Sequence, residues 1–175
     1  MKIGFCGTMS VGKTTLVNEL KKLPEFKDYT FRTERSKYLK EMGIPLNTDS
    51  TIKGQTVFLA ERASELIQEN IITDRTVIDV MAFTKCSKSI PYWVKLDFCS
   101  YAHRLLDEYD YIFYVSPKGV KIEDNGVRET DLEYRNLIDS TILELVDSHQ
   151  PSLIFHKIEG TMEERIISIK ETLFP

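Results

Sequence analysis

Long apolar runs are missing from this chain of 175 residues. No stretch approaches the roughly 20 apolar residues that a spanning helix needs, so a membrane protein is not expected. Cysteine is scarce as well. Cys6, Cys86 and Cys99 are odd in number and lack metal-like spacing, which argues against a disulfide framework or a zinc site and for reduced thiols. The histidines His103, His149 and His156 are equally scattered. Positive charge is not in excess: 23 Lys and Arg against 27 Asp and Glu leave a net −4. That balance disfavours a broad nucleic-acid surface, although a local basic groove remains compatible with it. Internal repeats, low-complexity segments and Pro/Gly/Ser-rich linkers are absent too. From Met1 the chain runs into a glycine-bearing motif at residue 7, so no signal peptide is expected and the cytoplasm is the default compartment.

What is present is an ordinary globular composition, 42% hydrophobic and 29% charged, in a length suited to one domain over residues 1–175. Short apolar runs alternate with amphipathic stretches. Strands are expected at Lys2–Cys6, 29–33, 71–73 ending at Asp74, Tyr111–Val115 and 153–157. Helices are expected at 13–23, 34–42, 51–70, Val77–Cys86, 94–108 and 129–148, and a last one is opened by a Thr161/Glu164 capping box. The apolar stripes are Leu59, Ala63, Leu66 and Ile67 in the long helix 51–70, and Tyr134, Leu137, Ile138, Thr141 and Leu145 in 129–148. Such alternation implies a three-layer α/β domain on a five-stranded parallel sheet, with ligands bound beyond the carboxyl ends of the strands.

At that edge lies Gly7-Thr8-Met9-Ser10-Val11-Gly12-Lys13-Thr14, the pattern G-x-x-x-x-G-K-T between an expected strand and an expected helix. Its glycines let successive backbone N–H groups converge on phosphate oxygens, and the helix dipole adds to them. Lys13 should reach the β- and γ-phosphates of a nucleoside triphosphate, Thr14 should ligate Mg²⁺, and Thr15 is placed to touch the α-phosphate.

Other candidates share the edge. Asp74, followed by Arg75, can hold the water shell of Mg²⁺, take the proton of an attacking hydroxyl, or merely cap the next helix. Asp79 can line an acceptor pocket or sit on a solvated helix face. Glu34, beside Arg35, can bind sugar hydroxyls or serve as a helix N-terminal acid. After the fourth strand, about residues 117–136, a helical lid is expected. Arg128 and Arg135, seven apart on one helix face, can clamp a transferring phosphoryl group or form ordinary helix-surface pairs through Asp131. Tyr92 and Trp93 can stack on a planar base, and Lys85, Lys88 and Lys95 can touch nucleic-acid phosphates, though core and solvated roles are open to them.

The P-loop, the Asp74-Arg75 pair, the arginine-bearing lid and Gly160-Thr161 before a helix make the chain resemble the nucleoside/nucleotide kinase branch of P-loop proteins. Within it the chain is similar to a small AAA-type domain related to nicotinamide riboside kinases and often found in bacteriophages. The resemblance implies kinase-type strand order, ATP and Mg²⁺ held by residues 7–15, and Gly160 and Thr161 beside the adenine. It implies Asp74 as base or metal partner, Arg128 and Arg135 as lid arginines, and Glu34 with Arg35 on the acceptor side. The acceptor implied is a small nucleoside, nucleotide or related ribosylated compound. A polynucleotide end or modified base in DNA, and a regulatory NTPase without transfer, are the competing readings. Neither a helical domain after the core nor a more acidic Walker B is visible, which disfavours a mechanical AAA⁺ motor.

Overall fold

The computed structural model describes residues 1–33, 36–118, 131–149 and 154–175. Five strands form one wholly parallel sheet: β1 (Lys2–Cys6), β2 (Thr30–Arg32), β3 (Ile71–Asp74), β4 (Tyr111–Val115) and β5 (Phe155–Ile158). Their order is β2-β3-β1-β4-β5. β1 is therefore central, and its carboxyl end opens between β3 and β4, where the chain switches from building one side of the sheet to the other. Phe5 is in register with Asp74 on β3 and with Phe113 on β4, so the three strands reach this edge together.

The three central strands, β1, β3 and β4, are buried on both faces because both are covered. Ile3, Phe5, Phe113 and Val115 face α1 (Lys13–Leu20) and α7 (Met162–Leu173), which contribute Leu16, Leu20, Ile169 and Leu173. Cys6, Ile112 and Tyr114 face the other layer, built from α3 (Ile52–Glu65), α4 (Val77–Cys86), α5 (Tyr92–His103) and α6 (Leu132–Ser148). A short α2 (Ser36–Glu41) follows β2. Gly4 leaves no room for a side chain: a Cβ there would lie 2.4 Å from Thr76 Cγ2, at the cap of α4, and 2.9 Å from Tyr109 Cε1.

The expected elements are present, with shifted ends. α3 stops at Glu65 rather than at residue 70, because Gln68, Glu69 and Asn70 form the polar turn into β3. Ile67 is consequently 79% exposed and outside the stripe assigned to it, and Leu137 on α6 is also exposed. The helix expected at 94–108 starts earlier, at Tyr92 after Pro91, and gives way to a 3-10 turn at Leu106–Glu108. The Thr161/Glu164 capping box opens α7. A second box, unforeseen, opens α4 through Thr76 and Asp79.

Candidate functional site

Between β1 and α1 the backbone turns through Gly7, Ser10 (φ 58°) and Gly12 (φ 85°), a run of positive φ values that glycine accommodates and serine adopts at a cost. Residues Ser10 to Thr14, with Asp74 and Arg75, line a strongly polar recess there. Lys13 is 6% exposed and donates from Nζ to the carbonyl oxygens of Gly7 (2.5 Å) and Thr8 (2.7 Å). Burial, and then the Arg75 guanidinium, bring its pKa down to about 8, against the pull of Asp79 and Asp74. Thr15 is exposed in the first turn of α1.

Asp74 ends β3 and is 1% exposed. The Thr14 hydroxyl donates to its Oδ2. Two hard oxygen donors thus meet at the mouth of the phosphate recess. This donor set fits Mg²⁺, which takes one or two protein oxygens and completes its shell with phosphates and water. Among the described residues, no group of three or more His, Cys, Asp or Glu side chains could hold a metal by itself.

A second recess adjoins the first and shares two walls with it, Met9 and Arg75. It is mainly apolar, with Phe58 and Phe83 as its large rings, and Gln55, Arg62, Arg75 and Asp79 are among its polar groups. Gln55 is 3% exposed, and its amide makes no hydrogen bond among the described residues. The amide faces the recess, where it offers a hydrogen-bond donor and an acceptor to whatever enters. Arg62 is held by Glu65 Oε1 (2.7 Å) and by the Asp74 carbonyl (3.4 Å).

Asp79 does not sit on a solvated helix face; it is 1% exposed. Its Oδ2 accepts from the Thr76 backbone N–H (2.8 Å), closing the α4 capping box. Its Oδ1 accepts from Gly7 N–H (3.2 Å) and lies 3.6 Å from Arg75 Nη1. Arg75 is a non-glycine residue at φ 87°, held by its N–H on the Phe5 carbonyl, with its guanidinium 5.0 Å above the Phe83 ring. The Asp74-Arg75 pair and Asp79 come together here.

Other expectations fare differently. Arg135 belongs to α6 and is 6% exposed. Its carbonyl accepts from the Thr8 hydroxyl at 3.1 Å, and its side chain lines a third recess with Tyr114, Lys118, Asp139 and Lys157. Burial raises the Asp139 carboxyl above its ordinary range, although the Tyr114 hydroxyl donates to it at 2.8 Å. Gly160 (φ 91°) and Thr161 lie after β5, with Thr161 as the N-cap of α7. Glu34, Arg35, Arg128 and residues 119–130 of the expected lid fall outside the described residues. Tyr92 and Trp93 are exposed on α5, in edge contact with each other. Lys95 is engaged by the carbonyls of Lys85 (2.9 Å) and Ser87 (2.5 Å), so its ammonium closes the end of α4 instead of extending a basic surface. Sequence reasoning missed Gln55, Phe58, Arg62 and Phe83, together with Arg165, whose Nη1 donates to the Val11 carbonyl at 2.7 Å.

These features define a P-loop protein with the strand order of the nucleoside and nucleotide kinases. The chain belongs to the AAA domain family, whose profile matches residues 2–165. Its fold recurs in deoxyadenosine kinase from M. mycoides with bound dATP (20% identity over the whole of both chains, TM-score 0.66). It recurs also in the NadR protein in complex with NR, where 97% of this chain covers 50% of that one at 15% identity and a TM-score of 0.75. YorR of Bacillus subtilis, in complex with phosphorylated GDP, is similar at 16% identity, 99% and 95% coverage and a TM-score of 0.59. No curated protein sequence matches the chain. No helix among the described residues is long and apolar enough to cross a membrane.

Proposed function

We propose that this protein moves the γ-phosphoryl group of ATP, with Mg²⁺, to a hydroxyl of a small nucleoside, nucleotide or related ribosylated acceptor. The observation that carries this reading is the pair of adjoining recesses: a polar one built on the P-loop and an apolar one bearing Gln55, divided by Met9 and Arg75. A phosphate bound in the first reaches an acceptor in the second across that shared wall. The likeness to proteins with bound dATP, NR and phosphorylated GDP supports it.

The residues divide the work as follows. Backbone N–H groups of residues 8–14 and the Lys13 ammonium hold the triphosphate, while the Gly7 N–H is kept by Asp79. Thr14 and Asp74 would hold Mg²⁺, which when bound neutralises charge on the β- and γ-oxygens. Asp74 lines the phosphate recess and is absent from the walls of the acceptor recess, which favours the metal-side role over that of a base. Arg75, in both walls, stands where charge develops on the transferring group. On the acceptor side, Phe58 and Phe83 offer aromatic surface to a planar base, and the Gln55 amide offers a donor and an acceptor to its edge. The acceptor oxygen forms its bond to the γ-phosphorus as the bond to the ADP leaving group breaks, and the hydroxyl proton is released.

A single domain over 1–175, a lid over 117–136 carrying Arg128 and Arg135, Glu34 with Arg35 at the acceptor, Gly160 with Thr161 at the adenine, and a cytoplasmic location complete the proposal. Incubation with γ-labelled ATP and a panel of nucleosides and nucleotides tests it. Label should pass to at least one panel member, and the Gln55→Leu variant should raise KM for that acceptor alone. Intact ATP binding without transfer to any of them would remove the reading.

A further inference from the structure

Arg165 is placed where a cation incurs two penalties. It stands one turn from the N-terminus of α7, whose helix dipole disfavours positive charge, and it is only 4% exposed. Burial accordingly pulls the pKa of its guanidinium below the ordinary value. Within the protein its compensation is thin. Nη1 donates to the Val11 carbonyl at 2.7 Å, while Nε is buried with no hydrogen-bond partner. Arginine is rarely buried without an anion to answer it.

What Nη1 touches gives the reason. The Val11 carbonyl and the Gly12 N–H belong to one peptide unit. Gly12 is the left-handed N-cap of α1, and a Cβ built on it would come 3.5 Å from the same Nη1. The guanidinium therefore stands directly behind the phosphate cradle. A cation hydrogen-bonded to a peptide oxygen draws electron density from that peptide and makes its N–H a stronger donor. The capping box at Thr161 and Glu164 fixes the first turn of α7, and with it the origin of the Arg165 side chain.

We propose that Arg165 is a positioning residue for the triphosphate: it holds the Val11–Gly12 peptide with its N–H turned to the phosphates, strengthens that donor, and adds a buried positive charge behind the cradle. The bound polyphosphate is then the anion that answers the buried guanidinium. This role rests on the nucleotide reading above, and it assigns to α7 a part in holding phosphate.

Equilibrium titration with a fluorescent ATP analogue tests it on four chains: wild type, Arg165→Met, Arg165→Lys and Ile169→Val. The last loosens the buried face of the same helix without touching the cradle. Arg165→Met should bind ATP at least about tenfold more weakly, the scale of one charge-assisted hydrogen bond. Arg165→Lys, which keeps the charge and loses the fork, should recover part of that loss, and Ile169→Val should bind as wild type does. In turnover the Met variant should raise KM for ATP with kcat held within about twofold. Wild-type affinity in Arg165→Met overturns the role, and so does an equal loss in Ile169→Val. If Arg165→Met does not fold, Arg165→Gln replaces it as the uncharged variant, and binding by Arg165→Gln no weaker than that of Arg165→Lys overturns the role too. Absence of ATP binding by the wild-type chain instead overturns the nucleotide reading beneath it.

Discussion

Lys13 gives the most direct quantitative handle on the site. Its ammonium is buried against two backbone carbonyls, and its pKa stands at about 8 instead of 10.5. A triphosphate entering the cradle brings several negative charges to within contact of that ammonium and returns its pKa to the ordinary lysine range or above. Binding must therefore take up a proton wherever the lysine is neutral beforehand. With a pKa of about 8, the uptake works out at roughly 0.1 proton at pH 7, half a proton at pH 8 and roughly 0.9 at pH 9. The association constant for ATP should fall about tenfold per pH unit above pH 8, where ATP itself is fully ionised. Without nucleotide the sign for stability is the opposite. The unfolded chain holds the lysine proton up to about pH 10.5 and the folded chain only to about 8, so the unfolded state binds more protons across that window. Lys13 thus contributes a gain in folding stability as pH rises through it, about 3 kcal/mol in total at 1.36 kcal/mol per unit. Calorimetric titration with ATP in two buffers of different ionisation enthalpy, from pH 7 to 9, measures the uptake. Denaturant melts of wild type and Lys13→Met from pH 7 to 10.5 isolate the stability term. An uptake that stays near zero at pH 9, with ATP still bound, would refute the depressed lysine.

Three further outcomes follow from single side chains. Gln55→Leu should raise KM for the acceptor by about 10- to 100-fold and leave KM for ATP unchanged, as measured by initial rates. Its melting temperature should hold or rise, because an amide with no protein partner is exchanged for an apolar group of similar size. Asp79→Asn should cost about 1–3 kcal/mol in chemical denaturation, since a buried anion bonded to Gly7, Thr76 and Arg75 loses its charge. Gly4→Ala should destabilise by about 1–3 kcal/mol through the clash with Thr76 Cγ2. Adding Thr76→Ser, which keeps the capping hydroxyl and deletes that methyl, should recover part of the loss, whereas additive costs in the double variant would show that the methyl is not the obstacle.

The parts of the fold and site legible in the sequence are those whose physics is local. The P-loop is one contiguous segment, and β4 and α4 are bounded by their own turn and cap residues, so their ends agree with the structure. The acceptor recess is assembled from separate elements and carries no contiguous mark. In α3 the apolar stripe was drawn through Leu59, Ala63, Leu66 and Ile67. The buried face includes Gln55, Leu59, Arg62 and Leu66, spaced by four, three and four, with Gly54 and Glu65 beside them. Inward polar residues carry no apolar mark, so a stripe read from hydrophobicity does not include them. Had the stripe been extended backward from Leu59 and Leu66 at helical spacing, it would have met Gln55 and Arg62. The same limit hid Arg165, four residues before the buried Ile169. Thr76 and Asp79 have the capping-box spacing, which could have placed Asp79 at a buried helix start. Lys95 shows the opposite error, since no local pattern marks a lysine whose partners are carbonyls ten and eight residues upstream.

Once those long-range contacts are in place, the two recesses cease to be independent. Asp79 bonds through one oxygen to Gly7, the first residue of the phosphate cradle, and through the other to Thr76, the cap of the helix that walls the acceptor recess. Arg75 sits between them, its backbone in a left-handed conformation that costs a non-glycine residue about 1–3 kcal/mol. Its guanidinium is shared between the Asp79 carboxylate at 3.6 Å and the Phe83 ring at 5.0 Å. A phosphoryl group arriving at the shared wall competes with Asp79 for that guanidinium, and any shift of Arg75 also moves it over Phe83, a wall of the acceptor recess. On the proposed function, donor binding would thereby alter the acceptor recess through one cation. By reciprocity, an acceptor that packs on Phe83 must change the affinity for the donor by the same factor.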